Sequence, residues 1–306
     1  MKRIKHSGIK NTPGGVAFDV FNYAFMLLFC ITILFPFWDN IVISFSKASD
    51  ISYTRLNLWP KEWCLESYKY CLQDSQLIVA FRNSILRTII GTIYHLIVCS
   101  LAAFSLTRNE MPFRKLFTML FLITMFFSGG LIPTYLNIRS LGLTDNFLVY
   151  ILPGGFSMYN TIVIRNYFMA IDKSLEESAT IDGASMLQVM IHVIIPLSVP
   201  VLATVGMWQM VGQWNSWFDN MIYARDKELM TLQYMLHTLL NNAGQRETDM
   251  VSAAMAASTV TETGALYTSR TVIAASTLIT VAPVLCVYPF LQRYFVKGIM
   301  LGAVKG

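Results

Sequence analysis

The chain consists of long apolar stretches separated by shorter polar segments. A membrane-spanning helix needs roughly 20 mostly apolar residues. Stretches that meet this requirement lie near residues 16–38, 85–107, 115–137, 146–167, 195–217 and 271–291. No internal repeat or Pro/Ser-rich linker divides them. The pattern therefore predicts an all-α membrane protein with six transmembrane helices in one domain, residues 16–291, between terminal tails of residues 1–15 and 292–306.

The first apolar stretch follows a basic tail that contains Lys2, Arg3, Lys5 and Lys10. Secretory signal peptides also begin with positive charges, so the stretch is either a cleaved signal or a retained anchor. It exceeds the apolar core of a signal peptide, which has about 7–15 residues, and no small-residue cleavage site follows it. We therefore expect a retained membrane anchor.

Composition and charge support a membrane protein and predict its orientation. The 306 residues are 55% hydrophobic and 13% charged, whereas soluble domains carry about 25% charged residues. Segments rich in Lys and Arg stay in the cytoplasm. With six spans, both tails, the basic loop 108–115 and the loop 171–194 fall on that side, and the loop 218–270 is extracytoplasmic. The net charge of +5 reflects this orientation and does not indicate nucleic-acid binding.

Motifs for catalysis are missing from the sequence. Gly-Lys does not occur, which excludes a phosphate-binding P-loop, and there is no His-Glu-x-x-His or Gly-x-Ser-x-Gly motif. No Cys/His pattern has metal-site spacing. Cys64 and Cys71 would be about 10 Å apart along one helix, so we expect separate thiols and not a disulfide. We predict a non-enzymatic chain that itself binds no metal or cofactor.

Ionisable residues in the predicted spans give no sign of a proton relay. Asp39, Arg87 and Arg165 lie near span ends, where side chains are expected to reach the membrane surface. His95 lies deepest, and we favour a neutral histidine hydrogen-bonded between helices over a relay role. A secondary transporter or channel would need paired charges at mid-membrane, and a membrane-embedded enzyme would need a catalytic constellation. Neither pattern is visible.

A polar segment between two apolar stretches is the most informative part of the chain. It has the sequence Glu177-Ser178-Ala179-Thr180-Ile181-Asp182-Gly183-Ala184, and Ile195-Pro196-Leu197 follows. Residues 175–181 predict a short helix, and Gly183 can take the positive φ that reverses the chain. Residues 184–194 predict a second helix, which Pro196 ends or kinks. An ordinary helix–Gly–helix turn, in which Gly183 only allows close packing, is the alternative.

This segment resembles the EAA loop of ABC importer permeases, with its Glu-Ala-Ala, Asp-Gly-Ala and Leu-Pro-Leu elements. In that family the loop forms two short cytoplasmic helices that dock in a groove of the ATP-hydrolysing subunit. The resemblance implies ATPase-docking roles for Glu177, Ala179, Asp182, Gly183, Ala184 and Pro196. Ser178, Ile191 and Ile195 depart from the pattern, where Ala, an aromatic residue and Leu are common.

Other segments extend the resemblance over the whole chain. Residues 126–135 with 141–143, and 214–218 with 232–233, look like span exits of permeases that import complex oligosaccharides. Residues 288–298 and 303–306 are similar to the tail of maltose-type permeases of the MalG kind. The resemblance implies a type I importer permease, one of two transmembrane subunits for carbohydrate in a bacterial cell membrane. Its partners would be a second permease, an ATPase dimer that holds ATP and Mg²⁺, and an extracytoplasmic solute-binding protein. A peptide, polyamine or glycerol-phosphate cargo is the alternative.

The fifth predicted span suggests a path for the cargo. Gln209, Gln213, Ser216 and Asn220 repeat at helical spacing, with Trp208, Trp214 and Trp217 nearby. Amides and aromatic faces suit the hydroxyl groups and C–H faces of a sugar. The same residues would also serve as contacts between helices and as an interfacial aromatic belt. In the loop that follows, Leu232, Gln233 and Tyr234 are expected to contact the solute-binding protein.

Apolar residues continue beyond the sixth predicted span. Such a surface generally marks an interaction site, so we expect the tail to insert between the two ATPase subunits, as the resemblance implies. An interfacial segment on the membrane is the alternative. Gly298, Gly302 and Gly306 argue against one long amphipathic helix, since each glycine costs a helix about 1 kcal/mol, and they allow an extended backbone. The expected ATPase contacts of the tail are Lys297, Gly298, Lys305 and Gly306.

Overall fold

The computed structural model describes residues 13–51, 57–242 and 268–303. These ranges are almost entirely helical, with a single β-bridge between Ser46 and Trp63, so the all-α prediction is confirmed. The helices are α1 (Pro13–Ser44), α2 (Glu66–Gln73), α3 (Ser75–Thr107), α4 (Arg114–Phe126), α5 (Leu131–Ser140), α6 (Met158–Met169), α7 (Lys173–Ile181), α8 (Met186–Val189), α9 (Ile195–Leu197), α10 (Val199–Asn215), α11 (Phe218–Tyr223), α12 (residues 232–242) and α13 (Ser269–Ala303).

The chain divides into two compact units. The first comprises residues 1–70 and 259–278. Its main element is α1, whose apolar side chains are exposed along nearly the whole helix. At the end of α1, the indole N–H of Trp38 donates to the carbonyl oxygen of Leu58 at 2.9 Å, and the Trp59 ring packs beside it. An apolar helix of this length without an internal core must find its contacts in lipid or in another chain.

The second unit comprises residues 71–258 and 279–306, and α3 is its central helix. Helices α6 and α10 pack along α3. Their shared core combines side chains from α3, α6, α10 and the segment before α10: Cys99, Ala103, Phe104, Ile164, Phe168, Val189, Met190, Ile194, Val201 and Val205. Small residues allow the close approach. A Cβ on Gly91 of α3 would lie 2.9 Å from Nε2 of Gln213 on α10, as is common where membrane helices pack tightly.

Several predicted spans are not single helices. In the described residues, α1, α3 and the first part of α13 (Ser269–Val287) are long and apolar enough to cross a membrane. The third predicted span is α4 and α5, which meet at 119°, and the fifth is bent by 80° before α10. The α-helix of the fourth, α6, has only 12 residues. Counting each bent pair as one span gives up to five.

Glycine and proline explain these interruptions. Gly130 precedes α5 with φ of +86°, a conformation that a continuing helix cannot contain. Pro153, Gly154 and Gly155 separate a short 3-10 turn from α6, where a helix would lose hydrogen bonds and backbone entropy. A hydropathy pattern reports only the length of an apolar stretch, so separate elements were predicted as single spans.

The C-terminal helix is longer than we expected. Helix α13 continues through Pro289, Gly298 and Gly302 to Ala303, so the expectation of extended backbone there is wrong. Each added helical residue gains a hydrogen bond without a new nucleation cost, and this gain exceeds the penalty of isolated glycines. Lys305 and Gly306 lie outside the described residues, as do residues 1–12 and 243–267. The orientation of the termini remains a prediction.

Candidate docking loop and transport site

The predicted docking loop is a helical hairpin that a glycine closes. The N–H groups of Gly183 and Ala184 donate to the carbonyl oxygens of Thr180 and Ala179, both at 3.0 Å. These two bonds form a Schellman motif, which needs a left-handed residue after the helix. Gly183 supplies it with φ of +85°, and a Cβ there would meet no atom within 4 Å. Close packing is therefore not the reason for glycine at this position.

Capping side chains fix both helices of the hairpin. Asp172 caps α7 by accepting a hydrogen bond from the backbone N–H of Ser174 at 3.0 Å. That bond favours the carboxylate and holds the pKa of Asp172 below its ordinary value. Ser185 and Gln188 form a capping box at the start of α8. The sequence of each cap thus determines where the hairpin helices begin.

The second helix of the hairpin contains a π turn. It runs from α8 through a π turn at Met190–Ile194 to α9, which contains Pro196. In a regular α-helix the proline ring would clash with the carbonyl group of residue 192, and the wider π turn relieves that contact. The predicted helix over 184–194 is confirmed, and the predicted kink after it is the 80° bend before α10.

The hairpin exposes apolar side chains. Ile181 at its tip has 86% of its surface accessible. Four further apolar residues are exposed: Leu175, Met186, Leu187 and Ile191. Of the predicted docking residues, Glu177, Asp182, Gly183 and Pro196 are exposed, while Ala179 and Ala184 pack against the core of the second unit. Such a patch at the end of a folded unit generally marks a protein-binding surface.

Two arginines bond at the hairpin end of α3, one to the hairpin and one from α6. Arg108, which follows α3, donates from Nη1 to Glu176 Oε2 on α7 at 2.5 Å. Arg165 on α6 donates to the carbonyl oxygen of Leu106 at 3.0 Å. The expectation that Arg165 only extends towards the membrane surface is therefore wrong, because it caps a free helix carbonyl group. Neither partner could be predicted from the residues near each arginine in the chain.

The predicted polar stripe on the fifth span is not continuous. Helix α10 ends at Asn215, and α11 begins at Phe218, so Asn220 lies on a different helix from Gln213. Gln213 is buried, and its amide donates to the carbonyl oxygen of Tyr150 at 3.2 Å. Asn220 is buried too.

The other predicted path residues divide into buried and accessible ones. Trp214 is buried and donates to the carbonyl oxygen of Thr280. Gln213, Trp214 and Asn220 thus make the internal contacts of the alternative interpretation, and a place for them in the cargo path stays a prediction. Gln209, Ser216 and Trp217 retain accessible surface.

Arg87 forms a buried ion pair that the sequence did not reveal. Only 2% of Arg87 is accessible. Its guanidinium group contacts Asp219 at 2.5 and 3.1 Å and donates to Gln213 Oε1 at 3.0 Å. It also stacks on the Tyr150 ring, 4.5 Å from the centroid. The expectation that Arg87 extends to the membrane surface is wrong, since a partly buried carboxylate and a buried amide satisfy its donors instead.

His95 joins two parts of the second unit. Its Nδ1 lies 2.8 Å from the carbonyl oxygen of Gly154, and its Nε2 lies 2.8 Å from the amide nitrogen of Asn160 on α6. A carbonyl group only accepts, so Nδ1 carries the proton and Nε2 accepts from Asn160. This neutral histidine, hydrogen-bonded between helices, confirms the favoured interpretation.

The loop after the fifth span is partly internal. Leu232 is 2% exposed, and its backbone N–H donates to Ser84 Oγ at 2.8 Å, so its side chain does not offer a surface to a binding protein. Gln233 donates to Asn215 Oδ1 at 3.3 Å, and Tyr234 is half-buried. Contact of this segment with the solute-binding protein stays a prediction, and Gln233 and Tyr234 are its accessible members. Helical periodicity alone did not show that α12 begins on the buried side.

Comparison with known proteins identifies the family. The model of the family described as "Binding-protein-dependent transport system inner membrane component" matches residues 11–218. The chain belongs to this family. The predicted membrane location and the importer permease fold are thereby confirmed, as is the role of a permease component. In the described ranges, no group of three or more His, Cys, Asp or Glu residues could hold a metal ion.

Relatives of this permease cover nearly its whole length. The protein LplC of Bacillus subtilis (strain 168) is 36% identical over 97% of both chains. From the same organism, the polygalacturonan/rhamnogalacturonan transport system permease protein YtcP is 33% identical over 94% of this chain and 98% of its own. A subunit of a bacterial ABC transporter involved in import of the acidic polysaccharide alginate aligns with a TM-score of 0.82 and 30% identity, over 93% and 98% of the two chains.

Proposed function

We propose that this permease is one of two transmembrane subunits of an ABC importer for an oligosaccharide derived from a polysaccharide. Family membership supports import that depends on a binding protein. We infer a carbohydrate cargo from two similar proteins, whose names refer to polygalacturonan or rhamnogalacturonan and to alginate. The docking hairpin, with its glycine closure and exposed apolar tip, is the observation that supports the proposed coupling to an ATPase.

In this proposal the hairpin transmits movement of the ATPase subunits. ATP and Mg²⁺ bind to a partner ATPase dimer, whose closure draws the two docked hairpins together. Ile181 and Leu187 would provide the apolar contact, and Glu177 and Asp182 the polar rim, as is typical of protein interfaces. ATP binding then favours the outward-facing conformation because it stabilises the closed dimer.

The cargo path would use the accessible residues of α10 and its surroundings. Gln209 and Trp217 retain accessible surface, and the exposed rings of Trp208 and Tyr159 lie 6.0 Å apart. Amides and aromatic faces bind sugars through hydrogen bonds and stacking. Gln209→Ala should raise the KM for transport without changing assembly of the complex. Unchanged kinetics would exclude Gln209 from the path.

The C-terminal tail would add a second ATPase contact. Lys297 and Gly298 lie on the last turns of α13, and we propose that they reach the ATPase dimer together with Lys305 and Gly306. Deleting residues 301–306 should lower ATPase-coupled transport while membrane insertion remains intact. Normal transport by the shortened subunit would show that the tail is a membrane-surface segment.

Reconstitution tests the function directly. The permease pair, the ATPase and the solute-binding protein should, in liposomes, take up an oligosaccharide only when ATP is supplied. Acidic and neutral oligosaccharides should be compared with a peptide, a polyamine and glycerol phosphate. Uptake of a non-sugar solute alone would refute the carbohydrate assignment. Uptake driven by an ion gradient without the ATPase would indicate a secondary transporter.

A further inference from the structure

The outer end of α3 is bonded to the segment that follows the fifth span. We use "outer" for the predicted extracytoplasmic side and "inner" for the side of the docking hairpin. Asn83 donates to the carbonyl oxygens of Glu228 and Met230 at 2.7 and 3.0 Å. One residue later, Ser84 Oγ accepts from the backbone N–H of Leu232. Neighbouring side chains of α3 thus hold the beginning of α12 in place.

One turn further along α3, Arg87 adds a charged contact. It pairs with Asp219 on α11, and Ser216 Oγ donates to the same carboxylate at 2.9 Å. A buried arginine cannot leave its partner without a large desolvation cost. The ion pair therefore makes α11 and the outer end of α3 move together.

The inner end of α3 has the corresponding contact with the hairpin. Arg108 pairs with Glu176, and its guanidinium group stacks over Phe104, 4.1 Å from the ring centroid. Glu176 immediately precedes Glu177 in the sequence, so the ion pair holds the helix that carries the predicted docking residues. It is partly buried on both sides, where an ion pair is screened less than on the surface.

Between these contacts α3 is one uninterrupted helix. It has 33 residues and no proline. Arg87 and Arg108 are 21 positions apart, about 32 Å along a helix, which is close to the roughly 30 Å thickness of the hydrocarbon core. In contrast, the paths through α4 and α5 and through α10 contain bends of 119° and 80°. An unbroken helix passes an axial or rotational displacement from end to end with little loss.

We propose that α3 is a coupling rod, which links the outer segment of α11 and α12 to the docking hairpin through its two terminal ion pairs. This inference rests on the proposed function. Arg87, Asp219, Arg108 and Glu176 are positioning residues, since they hold the elements that bind the partners and need not touch the partners themselves. Such a chain of packed contacts carries energetic coupling between distant sites.

Stimulation of the ATPase by the cargo-loaded binding protein tests the rod. Asp219→Asn and Glu176→Gln keep the size of each side chain and remove its charge. In the full complex, each should reduce the ratio of stimulated to basal ATPase activity by about 5-fold or more, the range expected for a lost coupling of this kind. Basal activity per assembled complex should stay unchanged. The matched control is Glu66→Gln at the exposed Lys69 pair of α2, which should leave the ratio unchanged.

Three further variants separate coupling from mere folding. Arg108→Glu should lose stimulation, and adding Glu176→Arg should restore it by re-forming the pair with reversed charges. Combining Asp219→Asn with Glu176→Gln should be no worse than either change alone, since contacts in one pathway are not additive. Additive losses, or no loss in either single variant, would overturn the rod while the proposed function stands. A wild-type complex that no loaded binding protein stimulates would overturn the proposed function, and the rod with it.

Discussion

Gly183 offers the sharpest test of the docking hairpin. Its φ of +85° lies in the left-handed region, and a Cβ at this position would meet nothing within 4 Å. A substitution therefore acts through the backbone and not through a clash. The two hydrogen bonds that close α7, from Gly183 and Ala184, require this conformation. Any residue that avoids it must change the direction in which the chain enters α8.

The cost follows from the backbone preference of each residue. An L-residue in the left-handed region costs about 1–2 kcal/mol, which is a factor of about 5–30 in an equilibrium constant. Gly183→Ala should weaken binding of the ATPase subunit by that factor. Gly183→Asn should weaken it less because asparagine tolerates this region, and Gly183→Val should weaken it more because its branched Cβ does not.

The assay is the affinity of the membrane-embedded permease pair for the purified ATPase subunit, together with ATP-dependent transport. Gly14→Ala is the control, since a Cβ there also meets nothing within 4 Å but the residue lies in α1 with ordinary helical backbone. The expected order of affinity is Gly, Asn, Ala, then Val. If Ala binds as tightly as Gly while Asn binds less tightly, the left-handed turn is not what docking requires.

Three other changes test particular contacts. Asp172→Ala should destabilise α7 because it removes the cap. In the wild type the stabilisation by Asp172 is present above its unfolded-state pKa and is lost as the pH falls through its lowered folded-state pKa. Hydrogen exchange of the α7 amides in the assembled complex, measured against pH, should show this loss. Gly155→Ala should lower thermal stability by about 1–3 kcal/mol, since its Cβ would lie 2.1 Å from Cε1 of Tyr94; an unchanged melting temperature would contradict this packing. His95→Phe should lower the free energy of unfolding by about 1–3 kcal/mol for each polar group left unpaired, and adding Asn160→Leu should recover part of that loss. Thermal unfolding in detergent measures both.

Local sequence was sufficient to predict much of the hairpin. Asp172 and Ser185 are capping residues, and position 183 holds glycine, the residue type that adopts a left-handed closure without strain. These interactions involve atoms within a few residues of each other. Local sequence therefore determines them, and the predicted pair of short helices joined by a left-handed Gly183 was confirmed.

The polar residues of the spans could not be assigned in the same way. Gln213 and Asn220 have the side chains expected of a sugar path, yet both are used inside the subunit. Arg87 has a residue 132 positions away as its ion-pair partner. Nothing near Arg87 in the sequence indicates which distant carboxylate will reach it, because that depends on how α3, α10 and α11 pack.

Local patterns along the chain are enough to predict the membrane class, the helical content and the position of the hairpin, since hydropathy, caps and glycine conformations are local properties. Packing of the helices sets where the predicted spans break and which amides are buried. It also brings α3 into contact with Asp219 at one end and with Glu176 at the other. These features depend on contacts between residues far apart in the chain. Whether a polar side chain lines a cargo path or makes an internal contact depends on its burial, and burial arises only when the helices pack.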